Sequence, residues 1–360
     1  MQKKQKIPGS NGYQVFEPEY KEAIGLIHVS HDDPGFTRQK CGRGFIYFDE
    51  KKRRITNPGI IERIKEIGIP PMWKNVWICK SPSGYLQATG IDVKNRKQYL
   101  YHEDWTAYQQ NFKFQKMVKF ANALPAIRET VKSHLRKKGW PKEKVLALIV
   151  GILNESYIRI GNRQYLELHG THGLTTLRRK NLEMNSHGII FKYKAKSNKY
   201  RRVKIRNRSF IRLIKECSEL QGYEVFRYLD PSGKTIPVNS TDVNEYLKDI
   251  TGEDFTSKNF RTWGGTVLAV KKFPAAKEMV EKNKRLKISR AIVKEVAVEL
   301  HNTIAVCEKY YIHPYVLETL TSGRFDPEKF PLEGTPQELG EAERITLSII
   351  KNGKIDNGEK

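Results

Sequence analysis

The sequence has few of the residues from which metal sites, disulfide frameworks and membrane spans are built. Its four cysteines lie far apart and form no CxxC pair. Neither a zinc site nor a disulfide framework is predicted, and free thiols in a reducing cytosol fit this pattern. The opening segment MQKKQKIPGSNGY is polar and lacks the apolar core of a signal peptide. No apolar run reaches membrane-spanning length, and no internal repeat or low-complexity tract is present.

Acidic residues are scarce relative to basic ones. The 360 residues include 65 Lys and Arg against 40 Asp and Glu, a net charge of +25. From residue 315 onward, 9 acidic and 6 basic residues give −3, which leaves +28 on the preceding 314 residues. Such a basic protein usually binds a polyanion, because release of condensed counterions from phosphates favours the complex. Nucleic acid is the predicted partner, and a membrane surface or an acidic protein is the alternative.

Changes in residue periodicity divide the chain into four predicted parts. Residues 1–34 read as a basic, weakly structured leader, and residues 35–103 as short strands and turns with a short helix. In the latter, WIC and YLQATG flank the turn SPSG, which predicts a hairpin. Residues 104–320 are mostly helical in period, and residues 321–360 form an acidic tail with a short helix. The predicted fold class is α+β, with a small strand-rich domain before a larger, mainly helical one.

In the mainly helical part, prolines and glycines mark the predicted helix ends, and alternation of apolar and basic residues marks a predicted hairpin. Two helices are expected on either side of Pro125, then a buried helix from Pro141 to Gly161-Asn162. Further helices are expected over 207–221, 240–250, 259–282 and 289–306. Between them, GIIFKYKAKSNKYRRVKI predicts a hairpin that turns at Ser197-Asn198. One face of its first strand is apolar, and the other carries lysines.

Several basic residues could be ordinary or functional. Arg159, in SYIRIGN, is either a cation at a helix C-terminus or a phosphate clamp. Lys196, at the hairpin tip, is either a solvated lysine or a proton donor inserted into a DNA groove, with Lys199 as its rival. A desolvated lysine among other cations has a lowered pKa, which suits a general acid. These residues alone do not choose between the alternatives.

The segment KNFRTWGGT places Lys258, Arg261 and Trp263 at the start of a helix. A helix that begins with cations opposes its own dipole unless an anion binds there. Gly264-Gly265 weakens the helix unless a backbone or a ligand comes close. An anion bound here would relieve the conflict between these cations and the helix dipole.

These segments, in this order, resemble the type IB DNA topoisomerases of the bacterial and poxvirus kind. The resemblance covers roughly residues 35–320, in phrases that include IPPMWKNVWIC, GYLQATGIDVKNRKQYLYH, YIRIGN, GLTTLRRKNLE, FKYKAKSNK, FTSKNFRTWGGTVLA and NTIAVCEKYYIHP. It implies a small N-terminal domain and a mainly helical catalytic domain with a small antiparallel sheet, which close as a C-shaped clamp around duplex DNA. It also implies a bacterial, monomeric, cytoplasmic and nucleoid-associated enzyme that uses no metal, no nucleotide and no other cofactor.

The resemblance assigns catalytic roles residue by residue. The first catalytic arginine falls on Arg159, the general-acid lysine on Lys196 and the second arginine on Arg261. In the family the nucleophilic tyrosine follows nine residues after a polar residue that contacts the phosphate. Counting nine from Asn302 places the nucleophile at Tyr311.

Two neighbours compete for these last roles. Many relatives have histidine where this chain has Asn302, but His301 stands ten residues before Tyr311 and is out of register. An asparagine amide can still donate a hydrogen bond to a phosphate oxygen. Tyr310 would be displaced by about 100° around a helix, and it is predicted to be a packing residue.

The implied reaction is a transesterification that relaxes supercoiled DNA. Tyr311 attacks a backbone phosphodiester, forms a 3′-phosphotyrosyl link and expels a 5′-hydroxyl. Arg159 and Arg261 steady the charge of the transition state, Asn302 adds a hydrogen bond, and Lys196 gives a proton to the departing oxygen. The cut strand swivels and is rejoined without ATP.

Further residues are predicted to contact DNA. Gln98, Tyr99 and Tyr101, in RKQYLYH, match a stretch that contacts DNA in the poxvirus relatives, with alternate strand packing as the competing interpretation. The other residues predicted to bind DNA are Lys194, Lys199 and Lys258.

Two alternative functions stay open at this level. A tyrosine recombinase uses a similar residue set, but such enzymes generally carry histidine three residues before the second arginine, where this chain has Lys258. The other alternative is a basic architectural protein that binds DNA without cutting it.

Overall fold

The structure, a computed structural model, describes residues 25–353 apart from 94, 186–187, 324 and 328–329, and only the backbone of 110, 111 and 197. The division between two compact units falls between Lys113 and Phe114. Most of the predicted basic leader, and residues 354–360 of the predicted acidic tail, lie outside the described residues. The three predicted boundaries between the four parts stay predictions.

The first unit is built on a five-stranded antiparallel sheet. Its strands are β1 (Phe36–Cys41), β2 (Gly44–Phe48), β3 (Lys74–Ile78), β4 (Leu86–Ile91) and β5 (Lys97–Tyr101), in the order β2-β1-β3-β4-β5. The antiparallel pairing of β3 with β4 confirms the hairpin predicted around SPSG. Helix α1 (Pro58–Glu66) begins at Asn57, whose side chain accepts a hydrogen bond from the Ile60 N–H.

Two small cores stabilise this unit. One lies between the sheet and α1, around Ile64, Ile78 and Ala88, all of which are buried. The other is largely aromatic and is centred on the buried side chains of Tyr85 and Trp105, whose rings meet edge to face with 5.3 Å between centroids.

The second unit is mainly helical. Helix α2 (Glu103–Leu135) runs across the division between the units. The other helices are α3 (Lys142–Ser156), α4 (Arg163–His169), α5 (Arg208–Glu219), α6 (Ser240–Thr251), α7 (Ser257–Lys271), α8 (Phe273–Lys282), α9 (Ile288–Leu300), α10 (Ile304–Tyr310), α11 (Pro314–Thr321) and α12 (Glu341–Asn352). All of residues 145–153 of α3 are buried, as are residues 260–270 of α7, so these two helices form the centre of the core.

Two small antiparallel sheets complete the second unit. One contains β6 (Leu182–Asn185), β7 (Gly188–Lys194) and β8 (Tyr200–Ile205), and the other pairs β9 (Arg227–Leu229) with β10 (Thr235–Pro237). The pairing of β7 with β8 confirms the predicted lysine-rich hairpin. Ile189, Phe191 and Tyr193 on its apolar face are at most 5% exposed. The predicted α+β class, with a strand-rich region before a mainly helical one, is therefore confirmed.

Helix α12 packs on α7 at the centre of the second unit. Its residues Ile345, Leu347, Ile349 and Ile350 are buried. Glu343 in its first turn forms an ion pair with Arg128, with 2.7 Å between Arg128 Nη2 and Glu343 Oε1. The same carboxylate accepts a hydrogen bond of 3.3 Å from Trp263 Nε1 of α7. The ion pair therefore ties α12 to α2, and the hydrogen bond from Trp263 ties it to α7, the helix that carries Arg261.

Two of the predicted helix boundaries are wrong because packing and caps override local signals. Pro125 does not divide a pair of helices but lies within α2. Its neighbours Leu124 and Ile127 are buried in the core, and this packing outweighs the hydrogen bond that a proline cannot donate. Helix α3 ends at Ser156 rather than near Gly161, because Tyr157 adopts the left-handed conformation (φ 51°) and caps it.

Two further predicted helices are each split in two. The helix expected over 259–282 breaks before Phe273, since Pro274 has no N–H with which to continue α7 and instead starts α8. The helix expected over 289–306 breaks at His301, which is left-handed (φ 50°). None of the helices in the described part of the chain is both long enough and apolar enough to cross a bilayer.

Candidate active site

Arg159 lies in an extended segment between α3 and α4 that a second segment holds in place. Leu174 N–H donates to the Arg159 carbonyl over 2.9 Å. Gly161 and Gly173 cross so closely that a Cβ on Gly173 would lie 2.4 Å from Gly161 Cα. Because α3 has already ended, Arg159 is not a cation in the last turn of a helix, and that alternative is wrong. Its backbone is fixed and its side chain is half-buried.

Arg261 lies in the second turn of α7 and is 6% exposed. Its guanidinium donates hydrogen bonds to the Tyr157 carbonyl and, over 3.1 Å, to the Leu300 carbonyl. Burial lowers the pKa of Arg261, and the nearby charge of Arg159 acts in the same direction, while Tyr311 raises it. Two carbonyls from different segments therefore fix a buried guanidinium next to Tyr311.

Gly264 and Gly265 of α7 have no side chains, so two other residues pack closely against the helix at this point. A Cβ on Gly264 would lie 2.2 Å from Cε1 of the Tyr157 ring, and a Cβ on Gly265 would lie 2.7 Å from the Tyr311 carbonyl oxygen. Thr266, the next residue, donates from Oγ1 to that same carbonyl over 3.1 Å. The prediction that a backbone approaches this glycine pair is confirmed, and the backbone is that of Tyr311.

Tyr311 follows directly after α10, with its ring below Arg261. Arg261 Cζ lies 5.1 Å from the ring centroid. Burial alone raises the pKa of the Tyr311 phenol, but the charges of Arg261 and Arg159, a hydrogen bond from Arg261 and the charge of Lys258 bring it below its ordinary value. The two arginines thus stabilise the phenolate.

Tyr310, the last residue of α10, is exposed. Its side chain is 43% exposed, and Lys309 Nζ lies 5.6 Å from its ring centroid. The prediction that Tyr310 is a packing residue is wrong, because the end of α10 leaves this position facing solvent.

Asn302 bonds directly to Arg159. Its Oδ1 accepts a hydrogen bond of 2.5 Å from Arg159 Nη2. Its Nδ2 is buried and has no acceptor in standard geometry among the described residues. The amide is close enough to the Cys307 thiol to lower its pKa, but burial raises that pKa to about 11, so the sulfur keeps its proton and is a weak acceptor. A buried amide donor therefore remains available beside Arg159.

Sequence reasoning missed two residues of this cluster, Arg201 and Tyr193. Arg201 pairs with Tyr193 across the β7–β8 hairpin and donates a hydrogen bond to the His301 carbonyl. Burial and the charge of Arg159 lower the pKa of Arg201. The sequence does contain a signal for Arg201. Alternation with a period of two places it on the apolar face of the hairpin, where an arginine is unusual.

Tyr193 is a second phenol near the same charges. Burial raises its pKa to about 12, although Arg261, Arg159 and Arg201 act in the opposite direction. The same arginines therefore leave the pKa of Tyr193 raised, whereas they lower the pKa of Tyr311.

The predicted lysines lie around this cluster. Lys196 is exposed in the 3₁₀ turn at the hairpin tip, and Lys199 is exposed just after it. The desolvation expected of Lys196 is therefore not a feature of this structure. Lys194 is half-buried, and Lys258 is exposed in the first turn of α7.

Gln98, Tyr99 and Tyr101 lie in the edge strand β5 of the first unit, and all three are half-buried. Gln98 Nε2 donates to Asp92 Oδ2 over 3.0 Å. Tyr99 stacks on Tyr101 with 6.3 Å between centroids, and burial raises the pKa of Tyr101 to about 12. Tyr101 packs within the sheet, as the competing interpretation expects. Contact of Gln98, Tyr99 and Tyr101 with DNA stays a prediction.

Comparisons with known proteins identify the family of this chain. Residues 102–326 match the family described as eukaryotic DNA topoisomerase I, catalytic core, and residues 44–92 match the bacterial DNA topoisomerase IB, N-terminal domain. The chain is 32% identical over 301 residues to the DNA topoisomerase 1B of Acanthamoeba polyphaga mimivirus, across 79% of this chain and 87% of that protein. The chain belongs to the type IB DNA topoisomerase family.

Poxvirus relatives match a shorter part of this type IB topoisomerase. The DNA topoisomerase 1B of vaccinia virus (strain Copenhagen) and the DNA topoisomerase I of monkeypox virus are each 26% identical over 107 residues, 30% of this chain and 34% of each relative. The resemblance seen in the sequence motifs is thus confirmed, and the chain is an enzyme, a DNA topoisomerase. Family membership replaces the recombinase and architectural alternatives.

Proposed function

We propose that this enzyme relaxes supercoiled duplex DNA by cutting and rejoining one strand, with Tyr311 as the nucleophile. The observation that carries the proposal is the position of the Tyr311 ring below the buried Arg261 guanidinium, with its phenol pKa lowered by Arg261 and Arg159 against the effect of burial. A phenolate is a far better nucleophile than a phenol, so this environment supports attack by Tyr311 at phosphorus.

The proposed cleavage step exchanges one phosphoester for another. The Tyr311 oxygen bonds to phosphorus on the 3′ side, the bond to the 5′ oxygen breaks, and the phenolic proton passes to solvent. Lys196, at the hairpin tip, donates the proton that the departing 5′ oxygen needs. Because the bond energy stays in the phosphotyrosyl link, the same steps in reverse rejoin the strand without ATP, metal or another cofactor.

Three other groups stabilise the transition state in this proposal. Arg159 and Arg261 bind the non-bridging oxygens, where negative charge accumulates. Asn302 donates from Nδ2, which is supported by its being buried with no standard acceptor among the described residues. Because Oδ1 of Asn302 already accepts from Arg159, its amide presents a donor rather than an acceptor to the phosphate.

The remaining basic residues hold the duplex in this proposal. The enzyme acts as a monomeric clamp in the nucleoid, with its excess positive charge gripping phosphates. Lys194, Lys199 and Lys258 contact the backbone near the cut, and Gln98, Tyr99 and Tyr101 contact DNA from the first unit. The cut strand rotates about the intact one before rejoining.

Relaxation of a negatively supercoiled plasmid, without ATP and with a chelator in place of magnesium, tests the proposal. The wild type should relax it. Tyr311→Phe should abolish relaxation while DNA binding survives, and the matched control Tyr310→Phe should retain most activity. Exchanged phenotypes for the two variants would refute the assignment of the nucleophile. Binding without relaxation by the wild type would refute the function itself.

A further inference from the structure

Three arginines donate to three consecutive residues at the end of α9, which we name the 300–302 corner. Arg261 bonds to the Leu300 carbonyl over 3.1 Å, Arg201 to the His301 carbonyl, and Arg159 to Asn302 Oδ1 over 2.5 Å. The arginines come from α7, from β8 and from the segment after α3, so the corner is the shared anchor of three separate elements.

The middle residue of this corner adopts an unfavourable backbone conformation. His301 has φ 50° and ψ 52°, the left-handed region in which a side chain is disfavoured. Asn302 N–H closes the helix end by donating to the Ala297 carbonyl over 2.9 Å. This type of helix end usually has glycine at the position that His301 occupies. Some other contact must therefore help to hold His301 in place.

We propose that Arg201 is a positioning residue that holds His301 in its left-handed conformation and so sets the places of Asn302 and Arg159. Its charged donor satisfies the carbonyl of the one corner residue whose backbone is disfavoured. If the corner relaxes, Asn302 Oδ1 leaves Arg159, and Leu300 no longer presents its carbonyl to Arg261. This inference rests on the proposed function, because it concerns the geometry of the proposed phosphate site.

A direct contact with phosphate is the competing role for Arg201, and the neighbouring residue offers a control. Arg202 follows on the same strand but is exposed on the opposite face, 3.6 Å from Glu183. Arg201→Ala and Arg202→Ala remove the same charge from the same strand, so they should weaken DNA binding to the same small extent. Only Arg201→Ala should disturb the corner.

Single-turnover cleavage of a duplex oligonucleotide separates these roles. Arg201→Ala should slow cleavage by about 10- to 100-fold, the worth of one hydrogen bond from a charged donor. Arg201→Lys, which keeps one donor and the charge, should recover part of the rate. Thermal melting and circular dichroism establish whether each variant is folded. If Arg201→Ala does not fold, the cleavage rate of Arg201→Lys serves as the test.

The decisive variant is Arg201→Ala combined with His301→Gly. Glycine adopts the left-handed conformation without strain, so the double variant should cleave faster than Arg201→Ala, measured against His301→Gly alone as reference. No recovery would overturn the positioning role, and so would equal rates for Arg201→Ala and Arg202→Ala. If Tyr311→Phe still relaxes DNA, the proposed function fails instead, whatever the corner variants do.

Discussion

Arg261 lies over the ring of Tyr311, with 5.1 Å between its Cζ and the ring centroid. Helix α7 fixes the positions of both residues. It carries Arg261, and its Thr266 Oγ1 donates a hydrogen bond to the Tyr311 carbonyl. The Tyr157 and Leu300 carbonyls orient the guanidinium. Neither partner can therefore shift far without moving the other.

Removing the Arg261 charge should raise the pKa of Tyr311. In Arg261→Gln the burial that raises this pKa remains while the largest opposing charge is lost. The wild-type phenol should lose its proton at a lower pH than free tyrosine, and the variant phenol at a higher pH than the wild type. Tyrosinate absorbance, taken as the difference from the corresponding Tyr311→Phe proteins, measures both values. An unchanged titration would remove Arg261 from this role.

Asn302 should matter both as an anchor and as a donor. Asn302→Ala removes the partner of Arg159 and the buried donor, so single-turnover cleavage should fall by about 10²–10³-fold. Asn302→Asp should be slower still, because a carboxylate beside Arg159 cancels its charge and repels the phosphate. DNA affinity in the Tyr311→Phe background separates binding from chemistry. Faster cleavage by Asn302→Asp than by Asn302→Ala would contradict this account.

Gly265→Ala should displace the nucleophile. The new Cβ would lie 2.7 Å from the Tyr311 carbonyl oxygen and 2.9 Å from its Cβ, so the segment must move. A misplacement of about 1 Å can cost about 10²-fold in rate, and cleavage should fall accordingly while DNA binding persists. Gly340→Ala is the control, since its Cβ would meet only Glu343 Oε2 at 3.6 Å. Equal rates for the two variants would argue against the steric role.

Lys196→Ala should slow cleavage by about 10²–10⁴-fold, the usual contribution of a general acid. A 5′-bridging sulfur makes the leaving group independent of proton donation, so such a substrate should restore the rate. Lys199→Ala, at the exposed end of the same turn, is the matched comparison. Rescue of Lys199→Ala rather than Lys196→Ala would move the role to the rival lysine.

Glu343→Gln should destabilise the second unit near neutral pH. Burial raises the pKa of Glu343, but its bonds with Arg128 prevail and hold it below the ordinary value. Its stabilisation is therefore present above the pKa of the unfolded carboxyl and is lost as pH falls through the folded value. The variant should lose about 1–3 kcal/mol in urea unfolding near neutral pH, and less in acid. Glu341→Gln, at an exposed position of the same turn, is the control.

Strand pairing and burial were predictable from the sequence where a single hydrophobic pattern dominates a segment. The β7–β8 hairpin follows from strict alternation, and burial of α3 follows from its continuous apolar run. Helix ends were less predictable, because Tyr157 and His301 adopt left-handed conformations that their residue types do not indicate. Those ends are held by Arg261 and Arg201, which are distant in sequence.

The site was predictable to a similar extent. The resemblance to type IB topoisomerases assigned roles to Arg159, Arg261, Asn302 and Tyr311, and the structure brings these four residues together. Arg201 was not predicted, although the same strand alternation places this charged residue opposite Tyr193 on the buried face of the hairpin. The bond between Asn302 and Arg159 could not be foreseen, since it joins residues 143 positions apart.

The 300–302 corner also bears on how the enzyme meets its substrate. Its acceptors are uncharged, and none of its three arginines pairs with a carboxylate in the portion of the chain that the structure describes. In the proposed reaction, an incoming phosphodiester therefore binds these arginines without first breaking an ion pair within the protein.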